Sequence, residues 1–442
     1  MAPPVSPIST VATVAQAATA AASTLLRSSP APAPNGLPRW LASLITHAAT
    51  LAVLPTLPYA VVQHALYRPK QPLKVWLIAH LLRNRSNLAP ILEACYSEEE
   101  AASAAFKPIL PFPKGIWDDV ACEVVSIPPA PEDWAPVRAV ELPAPVVAAT
   151  RPGFLLTPAR AEKEAHRLII HCHGGGYTRG HPLWTPLGAK LARDTRTPVL
   201  AVQYRKCVTA ATAFPAPLLD ALAAYHYATD TLGYDAQDIV LAGDSAGGHL
   251  ALAVLQMLVR AAQPLPRGVA LSSPWGDLTF SHPSIWHNSY VDYLALNAGK
   301  AVVASVARHY TPAAVRGPLL SPALAPAGTW RALRRTAGRV AQGAGEGQGQ
   351  GGDGAGTRVF IQVGSGEGFY DEALALAQTM RGDGVCVTVD TEEGGLHCGA
   401  LTGFLGGEAY ARFAEGTARL LQGGPRESMS IPQVAERALR LL

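Results

Sequence analysis

The chain has 442 residues, 49% hydrophobic and 16% charged, with a formal net charge of +3. That length suits one large α/β domain with extra sequence at its N-terminus. So small a charge, with no Lys/Arg cluster, argues against a nucleic-acid partner, and the six scattered cysteines lack the paired spacing of a zinc site.

In chain order, residues 1–38 are rich in Ala, Ser, Pro and Thr, and the first acidic residue is Glu93. Such a segment cannot build a core and reads as a disordered or targeting tail. Residues 39–140 read as a hydrophobic anchor and cap. Within them, residues 40–67 carry no charge and exceed the ~20 residues that cross a bilayer. Pro55 and Pro58 would kink a spanning helix. Arg27 and Arg39 on one side and Arg68, Lys70 and Lys74 on the other leave its orientation open. Two readings stand: attachment to a membrane such as the endoplasmic reticulum or a lipid droplet, or a helix over the mouth of a cytoplasmic enzyme. Trp76, Trp117 and Trp134 are expected in that cap. Oligomeric state and disulfide status stay open.

Residues 141–425 alternate apolar runs with helical stretches, the pattern of a mostly parallel sheet covered on both faces. Strands are predicted at 168–172, 199–202, 239–242, 268–271, 359–363 and 385–389. Helices are predicted at 214–230, 246–262, 371–381 and 401–421. Residues 341–357 (AQGAGEGQGQGGDGAGT) are a low-complexity insertion, and 426–442 a C-terminal tail.

Gly243-Asp244-Ser245-Ala246-Gly247 is a GxSxG box between an apolar strand and an alanine-rich helix. A sharp strand-to-helix turn there lifts the serine hydroxyl out of the sheet, with the helix dipole beneath it. His173-Gly174-Gly175-Gly176-Tyr177 follows another strand. Three glycines let the backbone turn its amides toward a developing oxyanion. The Lys-Ser/Thr of a phosphate loop is missing, and His173 is expected to brace the loop.

Serine needs a base and an orienting acid, which follow it in the order Ser, Asp/Glu, His in this architecture. Glu367 lies in a glycine-rich loop after a strand, while Asp371 suits a helix-capping position. Of 13 histidines, His397 follows the last strand in the right place for a general base.

Together HGGGY, GDSAGGHL, SSPWGDLT, FPAPLLDAL, LLSPALA and GSGEGFYDEAL with GLH resemble the hormone-sensitive-lipase group of α/β-hydrolases, in its motif order, from about residue 145 to 421. The resemblance implies an α/β-hydrolase fold and a Ser245, Glu367, His397 triad. It implies an oxyanion hole of the Gly175, Gly176 and Ala246 amides, with His173, Gly174 and Asp244 as supporting motif residues. The N-terminal region is similar to fungal members. Two departures stand out: Tyr204-Arg205-Lys206-Cys207-Val208-Thr209 replaces the group's Tyr-Arg-Leu-Ala-Pro-Glu, and Cys398-Gly399 is a smaller pair than usual behind the histidine. The first should repack a loop; the second should loosen the base.

The expected activity is hydrolysis of small-molecule carboxylic esters of hydrophobic alcohols, through an acyl-enzyme and with no cofactor or metal. An amidase or formamidase on the same residues is one alternative. A ligand-binding receptor on this fold is another, disfavoured because such receptors lose the histidine. A membrane scaffold with a vestigial domain is a third.

Overall fold

Strands covered on both faces need no polar side, so they read as unbroken apolar runs. β3 (Leu168–Cys172), β4 (Val199–Val202) and β5 (Ile239–Asp244) are buried at every position. They form the centre of an eight-stranded sheet in a computed structural model describing residues 48, 51–67, 71–88, 114–143, 145–160, 166–294, 296–334, 356–401 and 408–422. The tails at 1–38 and 426–442 and nearly all of the 341–357 insertion lie outside the described residues.

The other strands are β1 (Val120–Ile127), β2 (Arg151–Pro158), β6 (Gly268–Ser272), β7 (Arg358–Gly364) and β8 (Val387–Glu392). Their order is β1-β2-β4-β3-β5-β6-β7-β8. β1 pairs with β2, and β2 with β4, antiparallel; every other pair is parallel. The sequence reading missed β1 and β2. β1 is largely exposed along its middle and β2 holds prolines near both ends, so neither looks like a buried run. The last strand was predicted two to three residues early. Pairing of Val359 with Val387 through Gly364 with Glu392 draws polar residues into an edge strand that periodicity would exclude.

The longer helices are α1 (Leu57–Tyr67), α2 (Leu73–Leu88), α3 (Leu187–Thr195), α4 (Ala216–His226), α5 (Ala246–Arg260), α6 (Leu296–Val306), α7 (Tyr370–Gly382) and α8 (Ala409–Leu421). α8 starts later than the predicted 401, and residues 402–407 lie outside the described residues. Two apolar clusters divide the sheet faces. Leu222 of α4, Leu250 and Met257 of α5 and Met380 of α7 pack with Ile170, Leu241 and Ile361. Leu191 of α3 and Phe413 of α8 pack with Ile169, Val240 and Phe360 on the other face. Adjacent strand residues fall in different clusters, as a period of two demands. Burial of each such side chain contributes about 1.5–3 kcal/mol.

The uncharged N-terminal stretch is broken. Pro55 lies in a single 3-10 turn, Leu54–Thr56, and α1 follows it. Among the described residues no helix is long and apolar enough to cross a membrane. Trp76 Nε1 donates to the Ala60 carbonyl at 2.8 Å, joining α2 to α1. Val75 and Ala79 pack on Leu396, while Arg83 Nη1 donates to the Asp292 carbonyl at 2.8 Å. These helices therefore sit beside the loop carrying His397. The outward face of α1 shows Tyr59, Val62 and Leu66, the last 74% exposed. Of the three expected cap tryptophans, Trp76 lies here. Trp117 instead precedes β1, and Trp134 packs edge-on against His226, so both flank the sheet rather than the N-terminal helices.

Candidate active site

The β5–α5 turn places the serine. Ser245 has φ 53 and ψ −122, outside the range most side chains adopt. Such strain persists where its surroundings enforce it. Ser245 N–H donates to the Ser272 carbonyl at 3.0 Å, and its own carbonyl accepts from the Trp275 and His249 amides. A Cβ on Gly247 would lie 2.0 Å from the Cys172 carbonyl oxygen, so only glycine lets helix and strand approach this closely.

His397 Nε2 lies 2.9 Å from Ser245 Oγ, across 152 positions of sequence. The ring meets Phe369 edge-on at 4.8 Å and Tyr293 at 5.9 Å. Its backbone is also held: His397 N–H donates to Asp292 Oδ1 at 3.2 Å, and Tyr293 Oη–H donates to the His397 carbonyl at 2.9 Å. Cys398 is buried, and its amide donates to Ser273 Oγ at 2.8 Å. Hydrogen bonds to the His397 and Cys398 backbone thus hold the turn that carries the small Cys398-Gly399 pair.

Glu367 is fully buried behind the imidazole. Its Oε2 accepts from Ser273 Oγ at 2.6 Å and from the Gly364 amide at 3.2 Å. Its Oε1 faces His397 Nδ1 at 3.8 Å, about an ångström beyond hydrogen-bond length, and neither atom has another hydrogen-bond partner. Catalytic hydrogen bonds are often long before substrate binds. Burial works to lower the His397 pKa, but Glu367, with help from Asp292 and Asp244, outweighs it and holds the imidazole above its ordinary value. Burial likewise raises the Glu367 carboxyl, against the opposing pull of His397 and Ser273.

Asp371, the rival acid, points elsewhere. Its Oδ2 accepts from the Ser284 amide at 2.7 Å, so it secures the neighbouring turn at Ser284–His287 rather than capping α7. Glu372 accepts from the Gly276 and Asp277 amides. Asp277, His282 and Glu372 bring ligand atoms within 4.8 Å of one another. However, Asp277 already accepts from the amides and hydroxyls of Thr279 and Ser281 and pairs with His282 Nδ1. Those bonds, led by His282 and Ser281, overcome the burial penalty and hold its carboxyl well below the ordinary range. The cluster reads as a structural knot under the SSPWGDLT turn.

The glycine loop after β3 is tied down at its start. Gly174 N–H donates to Asp244 Oδ2 at 2.9 Å, and a Cβ there would sit 2.2 Å from that oxygen. Gly175 (φ 116) and Gly176 (φ 60) take the left-handed backbone that glycine permits. The Gly175 carbonyl accepts from Thr178 and Arg179 amides, which closes the turn. Ala246 opens α5, where a first-turn amide has no intrahelical acceptor. His173 stacks on Tyr204 at 4.4 Å, and its Nδ1 lies 2.6 Å from the Gly174 carbonyl oxygen. Sequence reasoning missed Ser273, which bridges the Glu367 carboxylate and the histidine loop, and Asp292, which holds the His397 amide. Ser273 lies in a motif that was singled out, without a role; Asp292 left no signal.

The model of the alpha/beta hydrolase fold family matches residues 169–343. Esterase LipU of Mycobacterium tuberculosis is 31% identical over 211 residues, 47% of this chain and 67% of that protein. The chain belongs to the hormone-sensitive-lipase-like α/β-hydrolases. An acetyl-hydrolase of Streptomyces hygroscopicus is 38% identical over 120 residues, 27% of this chain and 39% of that protein. An esterase of Acinetobacter venetianus is 34% identical over 146 residues. This α/β-hydrolase thus spans 39% and 47% of those two relatives. An esterase of the bacterial hormone-sensitive lipase family shares the fold with TM-score 0.53 and 22% identity, covering 77% of this chain and 91% of that one.

Proposed function

We propose that this α/β-hydrolase cleaves carboxylic esters through Ser245, His397 and Glu367. The observation that carries the reading is the 2.9 Å approach of His397 Nε2 to the hydroxyl on the strained turn. His397 takes the Ser245 proton as Oγ attacks the ester carbonyl. The tetrahedral oxyanion rests on the Gly175, Gly176 and Ala246 amides, and Glu367 stabilises the imidazolium. The imidazolium then protonates the departing alcohol. Water, deprotonated by His397, releases the acid and restores Ser245. No cofactor enters this scheme.

Similarity to an acetyl-hydrolase and an esterase supports small esters, acetyl esters among them. Esters of hydrophobic alcohols with short acyl chains are our preferred substrates. A fungal-type placement rests on the N-terminal likeness alone. An amidase would use the same residues, so paired esters and anilides decide between them. Purified protein should hydrolyse p-nitrophenyl acetate, and Ser245→Ala should lower kcat by about 10⁴-fold or more. Equal rates for the two proteins would favour a binding protein instead.

A peripheral membrane contact through α1 is our second reading, favoured by the exposed Tyr59, Val62 and Leu66. The full chain should float with phosphatidylcholine vesicles, and Val62→Glu with Leu66→Glu should leave it at the bottom of the gradient. Flotation unaffected by those changes would remove the proposal.

A further inference from the structure

Lys206 stands where the group that the sequence resembles carries leucine, and its side chain is wholly buried. Burying an ammonium is costly unless its protons are satisfied. Its Nζ lies over the Tyr204 ring at 4.0 Å, donates to the Tyr204 carbonyl, and meets His173 Nε2 at 3.2 Å. An ammonium has donors and no acceptor. The His173 nitrogen facing it must therefore present a lone pair.

The proton of the neutral ring then sits on Nδ1, which lies 2.6 Å from the Gly174 carbonyl oxygen. In a trans peptide the carbonyl and the following N–H point in opposite directions. Pinning the Gly174 carbonyl to His173 therefore sets the direction of the Gly175 N–H. The preceding peptide is clamped as well: Tyr204 Oη–H donates to the His173 carbonyl at 2.6 Å, and Gly174 N–H to Asp244 Oδ2 at 2.9 Å. A Cβ on Gly180 would strike both the Gly174 oxygen and His173 Nδ1 at 2.5 Å, so position 180 has no room for a side chain beside this contact. Burial, reinforced by the neighbouring ammonium, keeps the imidazole well below its ordinary pKa and hence neutral.

We propose that Lys206 is a positioning residue: it locks His173 in the Nδ1–H tautomer, which fixes the Gly174–Gly175 peptide and thereby aims the Gly175 amide. The step from this lock to catalysis rests on the reading of Gly175 as an oxyanion donor. The lock itself does not.

Two measurements separate these claims. In protein labelled with ¹⁵N-histidine, with the His173 signals assigned by their loss in His173→Gln, wild type should show a protonated Nδ1 and an unprotonated Nε2. Protonated Nε2 in wild type overturns the lock, whatever any variant does. With p-nitrophenyl acetate, Lys206→Met should lower kcat about 10- to 100-fold, up to the loss of one oxyanion donor. KM should hold, the His173 tautomer should shift toward Nε2–H, and Lys206→Arg should restore most of the rate. Unchanged kcat in Lys206→Met, with the tautomer altered, overturns the catalytic role. A wild-type protein that hydrolyses no ester defeats the esterase reading while leaving the tautomer result to stand or fall alone.

Discussion

At His397 two opposed influences set one number. Burial favours the neutral ring, and the Glu367 carboxylate favours the imidazolium, with the carboxylate prevailing. In the proposed mechanism neutral imidazole is the working base, so a raised pKa pushes the acid limb of kcat/KM above the ordinary value of about 6.5. Glu367→Gln removes the largest raising influence. The limb should then move to lower pH, while kcat falls about 10²- to 10⁴-fold because the tautomer and imidazolium lose support. A pH–rate profile of both proteins checks this. A limb that stays put would mean that Glu367 does not govern the imidazole. Ser273 belongs to the same unit, since one hydroxyl donates to Glu367 and accepts from the Cys398 amide.

At the level of elements, strand, turn and helix together present the proposed nucleophile. β5 ends at Asp244, α5 begins at Ala246, and Ser245 alone carries the change of direction. The turn is held open by close packing of Gly247 against Cys172 and of Gly243 against Gly247. In Gly247→Ala, the new methyl group meets backbone rather than a movable side chain, so β3 and α5 must separate. The cost should be about 3–5 kcal/mol, in the range of severe core strain. Urea denaturation should show the loss, with esterase activity falling further than stability. A variant as stable as wild type would mean that the elbow is looser than drawn.

Over the whole molecule, the two N-terminal helices lie beside the candidate active site without belonging to the sheet. Their link runs through Arg83, whose guanidinium reaches the Asp292 carbonyl, while the Asp292 carboxylate holds the His397 and Gly368 amides. Asp292 is fully buried, and burial raises its carboxyl against the pull of His397 and those amides. Arg83→Ala removes a charged donor from this buried site and should cost about 1.5–3 kcal/mol. The same change should lower kcat several-fold, because the histidine loop loses a brace. Thermal melting and kcat measured together test it; a drop in neither would uncouple the helices from the site.

Sequence alone carried the parallel core, because buried strands announce themselves as apolar runs, and it carried the candidate serine turn and glycine loop, because the chemistry proposed for them demands particular residues at fixed local spacing. It could not supply β1 and β2, whose identity comes from pairing with each other and with β4. Nor could it supply Asp292, or the roles of Ser273 and Lys206. Each acts on a group brought near by folding: Asp292 on a histidine more than a hundred positions away, Ser273 on Glu367, Lys206 on His173. Local patterns encode what a short segment must do by itself. Which distant side chain completes a hydrogen bond is decided when the sheet assembles, since contact across the fold leaves no periodic trace in the chain.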